Sequence, residues 1–165
     1  MSLIHSEKFM LMALNEAREA AQEGEVPVGA VVERNGEILG IGRNGIENQN
    51  SATAHAEILA INDAGKNLQN WRLNGATLFV TMEPCPMCWG AIINSRISKV
   101  VFAAKDTRAN SGAAEATERA QNFVEIESGL LEKESAELLQ NFFRSRRAET
   151  KEYGKSNPNK PQFSA

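Results

Sequence analysis

Cysteine and histidine are scarce in this sequence, which has only two of each among its 165 residues. Two cysteines are too few for the disulfide framework of a small secreted domain. Long apolar runs are missing as well, and the first residues lack the basic and apolar regions of a signal peptide. We therefore expect a protein without a membrane segment that resides in the cytoplasm.

A strong excess of positive charge is also missing, because the formal net charge is −3 at pH 7. A domain that binds nucleic acid is usually strongly basic, so the total charge does not indicate one. The charge is unevenly distributed, however. From Arg144 onward the chain has six lysines and arginines, and its only acids there are Glu149 and Glu152. The C-terminal end is basic, and the rest of the chain is more acidic than the total implies.

The length and composition indicate one domain. A chain of 165 residues with 42% hydrophobic residues is long enough to bury a core of ordinary size. We expect residues 1–150 to form that single domain. Residues 151–165, which include Pro158 and Pro161, are expected to form a flexible basic tail.

Hydrophobic periodicity and turn residues predict alternating helices and strands. Helices are expected at 6–23, from 55 to near 65, at 86–95 and at 132–148, and strands at 26–32, 37–42, 76–82, 99–104 and 123–126. Asn35-Gly36 predicts a tight hairpin between the first two strands. The strand–helix–strand order within 76–104 predicts a parallel strand pair. Loops are expected at 44–51 and 105–112, and the last helix is expected to have an apolar side made by Leu138, Leu139, Phe142 and Phe143.

Both cysteines and one histidine fall into two short motifs. The first, Thr53-Ala54-His55-Ala56-Glu57, contains H-x-E, and the second, Pro84-Cys85-Pro86-Met87-Cys88, contains P-C-x-x-C. Together these motifs are a known signature of zinc-dependent deaminases of nucleobases. One imidazole and two thiolates leave the fourth position of a tetrahedral zinc ion for water, as in a catalytic site. Glu57 is not needed as a ligand and is well placed to move protons.

Helix starts explain how the two motifs can meet. Pro86 suits the first turn of a helix, which would place Cys85 at the N-cap and Cys88 in the first turn. Thr53 is expected to cap a second helix whose first turn includes His55 and Glu57. The sequence therefore predicts two helix N-termini that meet over one zinc ion.

Three other interpretations of the motifs remain open, although each is less favoured. The C-x-x-C pair could be a redox pair, but no thioredoxin-like context surrounds it. His55 could be a packed core residue, but its motif and the cysteine motif support each other. A purely structural zinc site would need a fourth ligand, and the other histidine, His5, lies in what we expect to be a mobile terminus.

Beyond these motifs, the chain resembles the bacterial tRNA-specific adenosine deaminases. The resemblance runs from about Phe9 to Arg147 and includes these segments: 26–31, 53–58, 70–73, 78–81, 83–88, 95–97, 100–102 and 142–147. It implies an α/β protein with the three-layer α/β/α cytidine-deaminase-like fold, in which helices cover both faces of a central five-stranded mixed sheet. It also implies a homodimer that converts adenosine to inosine at the wobble position of a tRNA anticodon loop.

The same resemblance implies roles for individual residues. His55, Cys85 and Cys88 would bind one zinc ion per subunit, and Glu57 would be the catalytic residue. Val28 would line the base pocket, Asn44 would hold the flipped nucleotide, and Asp106 would contact a neighbouring ribose. The full set of implied substrate-binding residues is Val28, Asn44, Ala56, Pro84, Asp106, Phe142, Phe143, Arg144 and Arg147.

One departure from the family pattern keeps a second substrate class open. The segment that begins Thr107-Arg108-Ala109 is shorter than its counterpart in that family and lacks its Gly-Ser and Asn-His pairs. The alternative is a deaminase that uses the same zinc chemistry on a free nucleobase or related ring, such as guanine, cytosine or a triazine. A third hypothesis is a zinc-stabilised RNA-binding module without catalysis, but such a module would have no need of Glu57.

Overall fold

The computed structural model describes residues 3–156, and the surroundings of side chains for residues 6–150. Helices and strands alternate along most of this part of the chain. In order they are α1 (Leu3–Gln22), β1 (Gly29–Arg34), β2 (Glu37–Arg43), α2 (Ile46–Gln49), α3 (Ala56–Leu68), β3 (Thr77–Met82), α4 (Pro86–Asn94), β4 (Lys99–Ala104), α5 (Ala113–Ala120), β5 (Glu125–Ser128) and α6 (Glu132–Ser156).

The strands form one five-stranded mixed sheet in the order β2-β1-β3-β4-β5. Strand β1 is antiparallel to both β2 and β3, whereas β3, β4 and β5 run parallel. The expected mixed sheet, the hairpin at Asn35-Gly36 and the parallel β3–β4 pair are confirmed. Because Met82 of β3 pairs with Ala104 of β4, these two strands end side by side. The residues that follow them begin at the same edge of the sheet.

Alternating side chains bury both faces of the sheet. One face packs against α3, α4 and α5, in a cluster that includes Ala30, Val32, Leu78, Val80, Val100, Phe102, Ala60, Trp89, Ile92 and Ala120. The other face packs against α1, in a second cluster of Phe9, Met10, Ala13, Val31, Phe79, Val101 and Ala103. Helices therefore cover both faces, as expected for a three-layer α/β/α protein.

Glycines in β2 hold α3 close to the sheet. A Cβ atom at Gly40 would lie 2.4 Å from the backbone oxygen of Ala60, and one at Gly42 would lie 2.3 Å from that of Ala56. Such approaches are possible only where the strand has no side chain. The alanines that face these glycines are fully buried. This close packing fixes the start of α3, where one of the two motifs lies.

Several element boundaries differ from the sequence-based predictions. Strand β1 begins at Gly29, not at Val26, and the predicted loop 44–51 contains the short helix α2. Helix α3 has His55 itself as its N-cap, so the expected Thr53 cap is wrong. The hydroxyl of Thr53 instead lies 3.3 Å from the hydroxyl of Ser51, so its hydrogen bond stays within the loop before α3.

The two ends of the chain are more helical than expected. Helix α1 begins at Leu3 and includes His5, which we had expected in a mobile terminus. Helix α6 continues to Ser156, beyond its expected end at 148 and across the predicted boundary between domain and tail. Residues 146–153 are mostly good helix formers, and Arg146 pairs with Glu149 at 3.7 Å one turn later. The rest of the predicted tail, 157–165, lies outside the described residues.

Within the described part of the chain, no helix is both long enough and apolar enough to cross a membrane.

Candidate active site

Two helix starts bring the cysteines and the histidine of the motifs together. His55 is the N-cap of α3, and Cys85 is the N-cap of α4, where Pro86 occupies the first turn. The Nδ1 atom of His55 lies 3.7 Å from Sγ of Cys85 and 3.4 Å from Sγ of Cys88, and the two sulfurs are 3.6 Å apart. The predicted convergence of the three side chains is confirmed. Their role as zinc ligands remains a prediction.

These distances fit a tetrahedral zinc ion. Bond lengths of about 2.3 Å to sulfur and about 2.0 Å to nitrogen place the sulfurs about 3.8 Å apart and each sulfur about 3.5 Å from the nitrogen. The three atoms lie within 4.8 Å of one another, and no other such group of His, Cys, Asp and Glu occurs among the described side chains. No fourth ligand joins the set from the side chains of residues 6–150, so a bound zinc ion would keep one open position there, as catalytic zinc sites do.

The electrostatics of the group also suit a cation. The hydrogen bond shared with Cys88 is the largest cause that lowers the pKa of Cys85 to about 4. The same contact, with burial, raises the pKa of Cys88. The Cys85 thiolate in turn raises the pKa of His55 through their hydrogen bond. A divalent cation that binds here would replace the acidic protons of the group.

Glu57 lies in the first turn of α3, next to these three side chains. Its side chain is almost fully buried, and burial raises its pKa to about 7. A carboxyl group with a pKa near the working pH can both accept and donate a proton efficiently. The position and the pKa of Glu57 are therefore those of a general acid–base catalyst, which is the role predicted for it.

A cavity of about 660 Å³ opens above His55, Glu57 and Cys85, which form its floor. Its walls come from the segment before β1, the residues between β2 and α3, the ends of β3 and β4, the loop after β4, and one face of α6. The α6 residues that line the cavity are Ala136, Leu139, Gln140, Phe143, Arg144 and Arg147. Their spacing of three or four residues places them on a single side of the helix. We call this set the α6 face.

Most of the expected substrate-binding residues line the cavity. They are Val28, Asn44, Ala56, Asp106, Phe143, Arg144 and Arg147. Pro84 and Phe142 do not line it. Pro84 is buried beneath the floor, and Phe142 lies about 100° around α6 from Phe143. The Phe142 ring packs edge-on against Phe143 at 5.5 Å and lies 5.7 Å from the guanidinium of Arg146. Phe142 therefore lies off the cavity wall, and the substrate contact expected of it remains a prediction.

The sequence analysis did not single out two charged residues: Arg108, which lines the cavity, and Glu25, which supports the lining residue Asn44. Arg108 binds both carboxylate oxygens of Asp106, at 2.9 and 2.7 Å, and this pairing is the main cause that lowers the pKa of Asp106. Glu25 is buried and accepts hydrogen bonds from the Asn44 side chain at 3.3 Å and the Asn48 backbone at 2.8 Å. Glu25 directly precedes the apolar run Val26-Pro27-Val28, and an acid in that position is a sequence signal for a buried, hydrogen-bonded carboxylate.

Known proteins share these features over most of the chain. A family model of MafB19-like deaminases matches residues 4–147. The tRNA-specific adenosine deaminase of Bacillus subtilis is 44% identical over 153 residues, which cover 90% of this chain and 95% of that protein. The chain belongs to this deaminase family. The resemblance noted in the sequence is thereby confirmed, and a redox role for the C-x-x-C pair loses its support.

Solved structures of the family agree with the fold. A structure from studies of A-to-I editing by tRNA:A34 deaminases has a TM-score of 0.73 and 40% identity, and it covers 80% of this chain and 99% of its own. A guanine deaminase from Bacillus subtilis has a TM-score of 0.59 and 38% identity, and it covers 72% of this chain and 71% of its own. The predicted cytidine-deaminase-like α/β fold is confirmed.

Proposed function

We propose that this deaminase is a zinc-dependent hydrolase that converts adenosine to inosine at the wobble position of a tRNA anticodon. The observation on which the chemistry rests is the convergence of His55, Cys85 and Cys88 within 4.8 Å, beside the buried Glu57. These three residues would hold one zinc ion per subunit. Zinc bound there supplies Lewis-acid activation of a water molecule at neutral pH.

Glu57 performs the proton transfers of the reaction. It accepts a proton from the attacking water, whose oxygen forms a bond to C6 of the base. It then delivers a proton to the exocyclic nitrogen, whose bond to C6 breaks, so that one water is consumed and one ammonia is released. A pKa of about 7 lets the same carboxyl group serve in both directions.

The cavity and the α6 face support an RNA substrate. A cavity of about 660 Å³ is large enough for a nucleoside, and a base must leave its stack to reach the floor. Proteins recognise unpaired RNA loops by stacking on aromatic side chains and by contacts to phosphates and 2′-hydroxyls. Phe143, Arg144 and Arg147 offer the first two kinds of contact at the mouth of the cavity, and Asp106 offers the third. The relatives named tRNA-specific adenosine deaminases support the choice of tRNA.

A free nucleobase is the second candidate substrate. One observation favours it: guanine deaminases are among the similar structures. The first candidate is preferred because the similarity to a tRNA-specific enzyme extends over 95% of that enzyme, whereas the B. subtilis guanine deaminase is covered over 71%.

One experiment separates the two candidates. The zinc-loaded protein is incubated with an anticodon stem-loop whose first anticodon base is adenosine, and separately with adenine, guanine, cytosine and their nucleosides. We expect inosine in the stem-loop and no ammonia from the free compounds. A stem-loop with guanosine at the same position and the Glu57→Gln variant are the matched controls. Ammonia from a free base without inosine in the RNA would establish the second candidate instead.

We also propose that the protein is a homodimer of the cytoplasm, where its tRNA substrate occurs. Large apolar side chains remain partly exposed at Trp71, Met87 and Phe123, which are 55%, 37% and 70% exposed. Such side chains can pack at an interface between subunits. Sedimentation analysis at micromolar concentration should give twice the mass of one chain, and a single-chain mass would contradict the proposal.

A further inference from the structure

Glu83, which follows β3 directly, links the cavity wall to helix α5. Its side chain is only 7% exposed, and both carboxylate oxygens are in use. Oε1 accepts a hydrogen bond from the Thr117 hydroxyl at 2.7 Å, and Oε2 accepts one from the backbone N–H of Asp106 at 3.0 Å. The backbone N–H of Glu83 donates to Ala104 at 2.8 Å. One residue therefore ties the end of β3 to the end of β4, to the loop after it and to α5.

The orientation of the Thr117 hydroxyl is fixed by its two partners. A hydroxyl has a single hydrogen to donate, and the carboxylate of Glu83 can only accept. The indole N–H of Trp89, which can only donate, lies 3.0 Å from the same Thr117 oxygen. Trp89, Thr117 and Glu83 thus form a buried hydrogen-bond chain with one possible direction, and we call it the Trp89–Thr117–Glu83 chain. Such chains of buried bonds reinforce one another.

The position of Asp106 depends on this chain. Asp106 lies in the loop after β4, where strand pairing no longer holds the backbone. Its backbone N–H bonds to Glu83, its buried carboxylate is held by Arg108 at 2.9 and 2.7 Å, and both residues are among those that line the cavity. Of these two partners, Arg108 belongs to the same loop as Asp106. Glu83 instead follows β3 directly and is bonded through its backbone N–H to the end of β4. A shift of Glu83 would therefore move Asp106, and with it the Arg108 side chain that it holds at the cavity wall.

We propose that Thr117 is a positioning residue for the deamination reaction and acts through Glu83 on Asp106. Helix α5 contributes no lining residue to the cavity among the described side chains, yet through Glu83 it sets the place of Asp106 and of the Arg108 side chain bound to it, two residues that line the cavity. The inference rests on the proposed function, since it concerns how an RNA nucleotide is held in that same cavity. It assigns a role in substrate recognition to the shortened segment after Asp106.

The first test compares Thr117→Val, which keeps the shape but removes the hydroxyl, with Thr117→Ser, which keeps the hydroxyl. Thr77→Val is the matched control, because Thr77 is a buried threonine at the opposite end of β3. We expect Thr117→Val to lower kcat/KM on the anticodon stem-loop by roughly tenfold to hundredfold, mostly through KM, since small displacements of a positioning group have effects of this size. Thr117→Ser and Thr77→Val should stay within about threefold of the parent, and all variants should retain their zinc.

A double-mutant cycle with Asp106→Ala separates positioning from a general loss of structure. If Thr117 acts through Asp106, Thr117→Val should lower kcat/KM by less than about twofold in the Asp106→Ala background. The same large factor in both backgrounds would overturn the proposal, because Thr117 would then act on the whole fold. Equal kcat/KM for Thr117→Val and the parent protein would overturn it as well.

A readout that needs no activity keeps the test independent of the proposed function. Hydrogen exchange of the Asp106 amide should be faster in Thr117→Val than in the parent and in Thr77→Val, because its acceptor on Glu83 is less well held. If the parent protein edits no RNA, the proposed function is wrong. Faster exchange of the Asp106 amide in Thr117→Val would still support the positioning of Asp106 by the Trp89–Thr117–Glu83 chain. Unchanged exchange at Asp106 would overturn the positioning chain, whatever the activity.

Discussion

The floor of the cavity and the α6 face that forms one of its walls are held in different ways. His55, Cys85 and Cys88 lie at two helix starts that are packed against the sheet, and Glu57 is buried beside them. The α6 face extends along a helix whose buried anchor is Ser135 in its first turn, which donates a hydrogen bond to the backbone of Thr81. Further along, Phe143 is 41% exposed.

This difference suits two separate tasks, catalysis at the floor and RNA binding at the α6 face. Bond-breaking chemistry requires groups fixed within a fraction of an ångström, and the floor provides that through packing and helix geometry. A large and flexible RNA loop can be held by exposed side chains that adapt to it. We therefore expect floor variants to impair the chemical step, whereas variants of the α6 face should impair the binding of RNA.

The largest effect should come from Cys88→Ser, directly beneath the Cys85 and His55 side chains of the floor. Cys88 is buried in the first turn of α4, where the serine hydroxyl would replace a thiolate with a much poorer zinc ligand. We expect bound zinc to fall to less than about a tenth of one ion per chain, and deamination to be lost. Metal analysis of the dialysed protein measures the bound zinc. A circular dichroism spectrum like that of the parent would show that the fold persists. Full zinc retention would refute the ligand set.

Glu57→Gln should separate metal binding from catalysis within the floor. The amide keeps the size of the side chain but can no longer accept a proton, so zinc should remain at about one ion per chain. We expect kcat to fall by about 10²–10⁴-fold with the stem-loop and with any free substrate that the parent protein accepts. Single-turnover assays measure this fall, and a variant with more than a tenth of the parent rate would remove Glu57 from the mechanism.

The same contrast explains how much the sequence could predict. The floor could be predicted because each motif is a local helix start, and two such starts suffice for the site. Helix α5 could not, because its buried side is made by Ala113, Thr117 and Ala120. The helix has only eight residues, and those it buries are small or polar, so too few large apolar side chains marked it as a helix in the sequence.

The apolar side of α6 shows a second limit of prediction from the sequence. Its spacing predicted a packed stripe of Leu138, Leu139, Phe142 and Phe143, but in the structure these side chains are half-buried or exposed. A stripe of this kind predicts that one side of a helix is apolar, not which surface will cover it. Here part of the stripe faces the cavity, which only the tertiary arrangement could reveal.

Neutralising two arginines of the α6 face tests whether that wall binds RNA. In the double variant Arg144→Gln and Arg147→Gln, we expect the RNA affinity to fall by about tenfold to thirtyfold. Its logarithmic salt dependence should become shallower by about 1.4, the value for two lost contacts to single-stranded phosphates. Fluorescence anisotropy at several salt concentrations measures both quantities.

Arg146→Gln is the matched control for this pair. Arg146 belongs to the same helix turn but lies outside the cavity, over Phe142 and beside Glu149. We expect its RNA affinity to stay within about twofold of the parent, since an exposed pair of this kind contributes little. Equal losses for Arg146→Gln and for either arginine of the α6 face would mean that charge alone matters, and not the face that carries it.

The smallest effect should distinguish two neighbouring phenylalanines of α6. Phe143 lines the cavity and is 41% exposed, whereas Phe142 lies off the cavity with its ring edge-on to Phe143. Stacking of one base on an aromatic ring contributes about 1–3 kcal/mol, and partial exposure favours the low end. Phe143→Ala should therefore weaken stem-loop binding by about fivefold, and Phe143→Tyr should restore it because the ring face returns. Phe142→Ala should change binding by less than about twofold. If Phe142→Ala were the more damaging change, the RNA would contact the side of α6 that faces away from the cavity, and the α6 face would not be the wall that holds it.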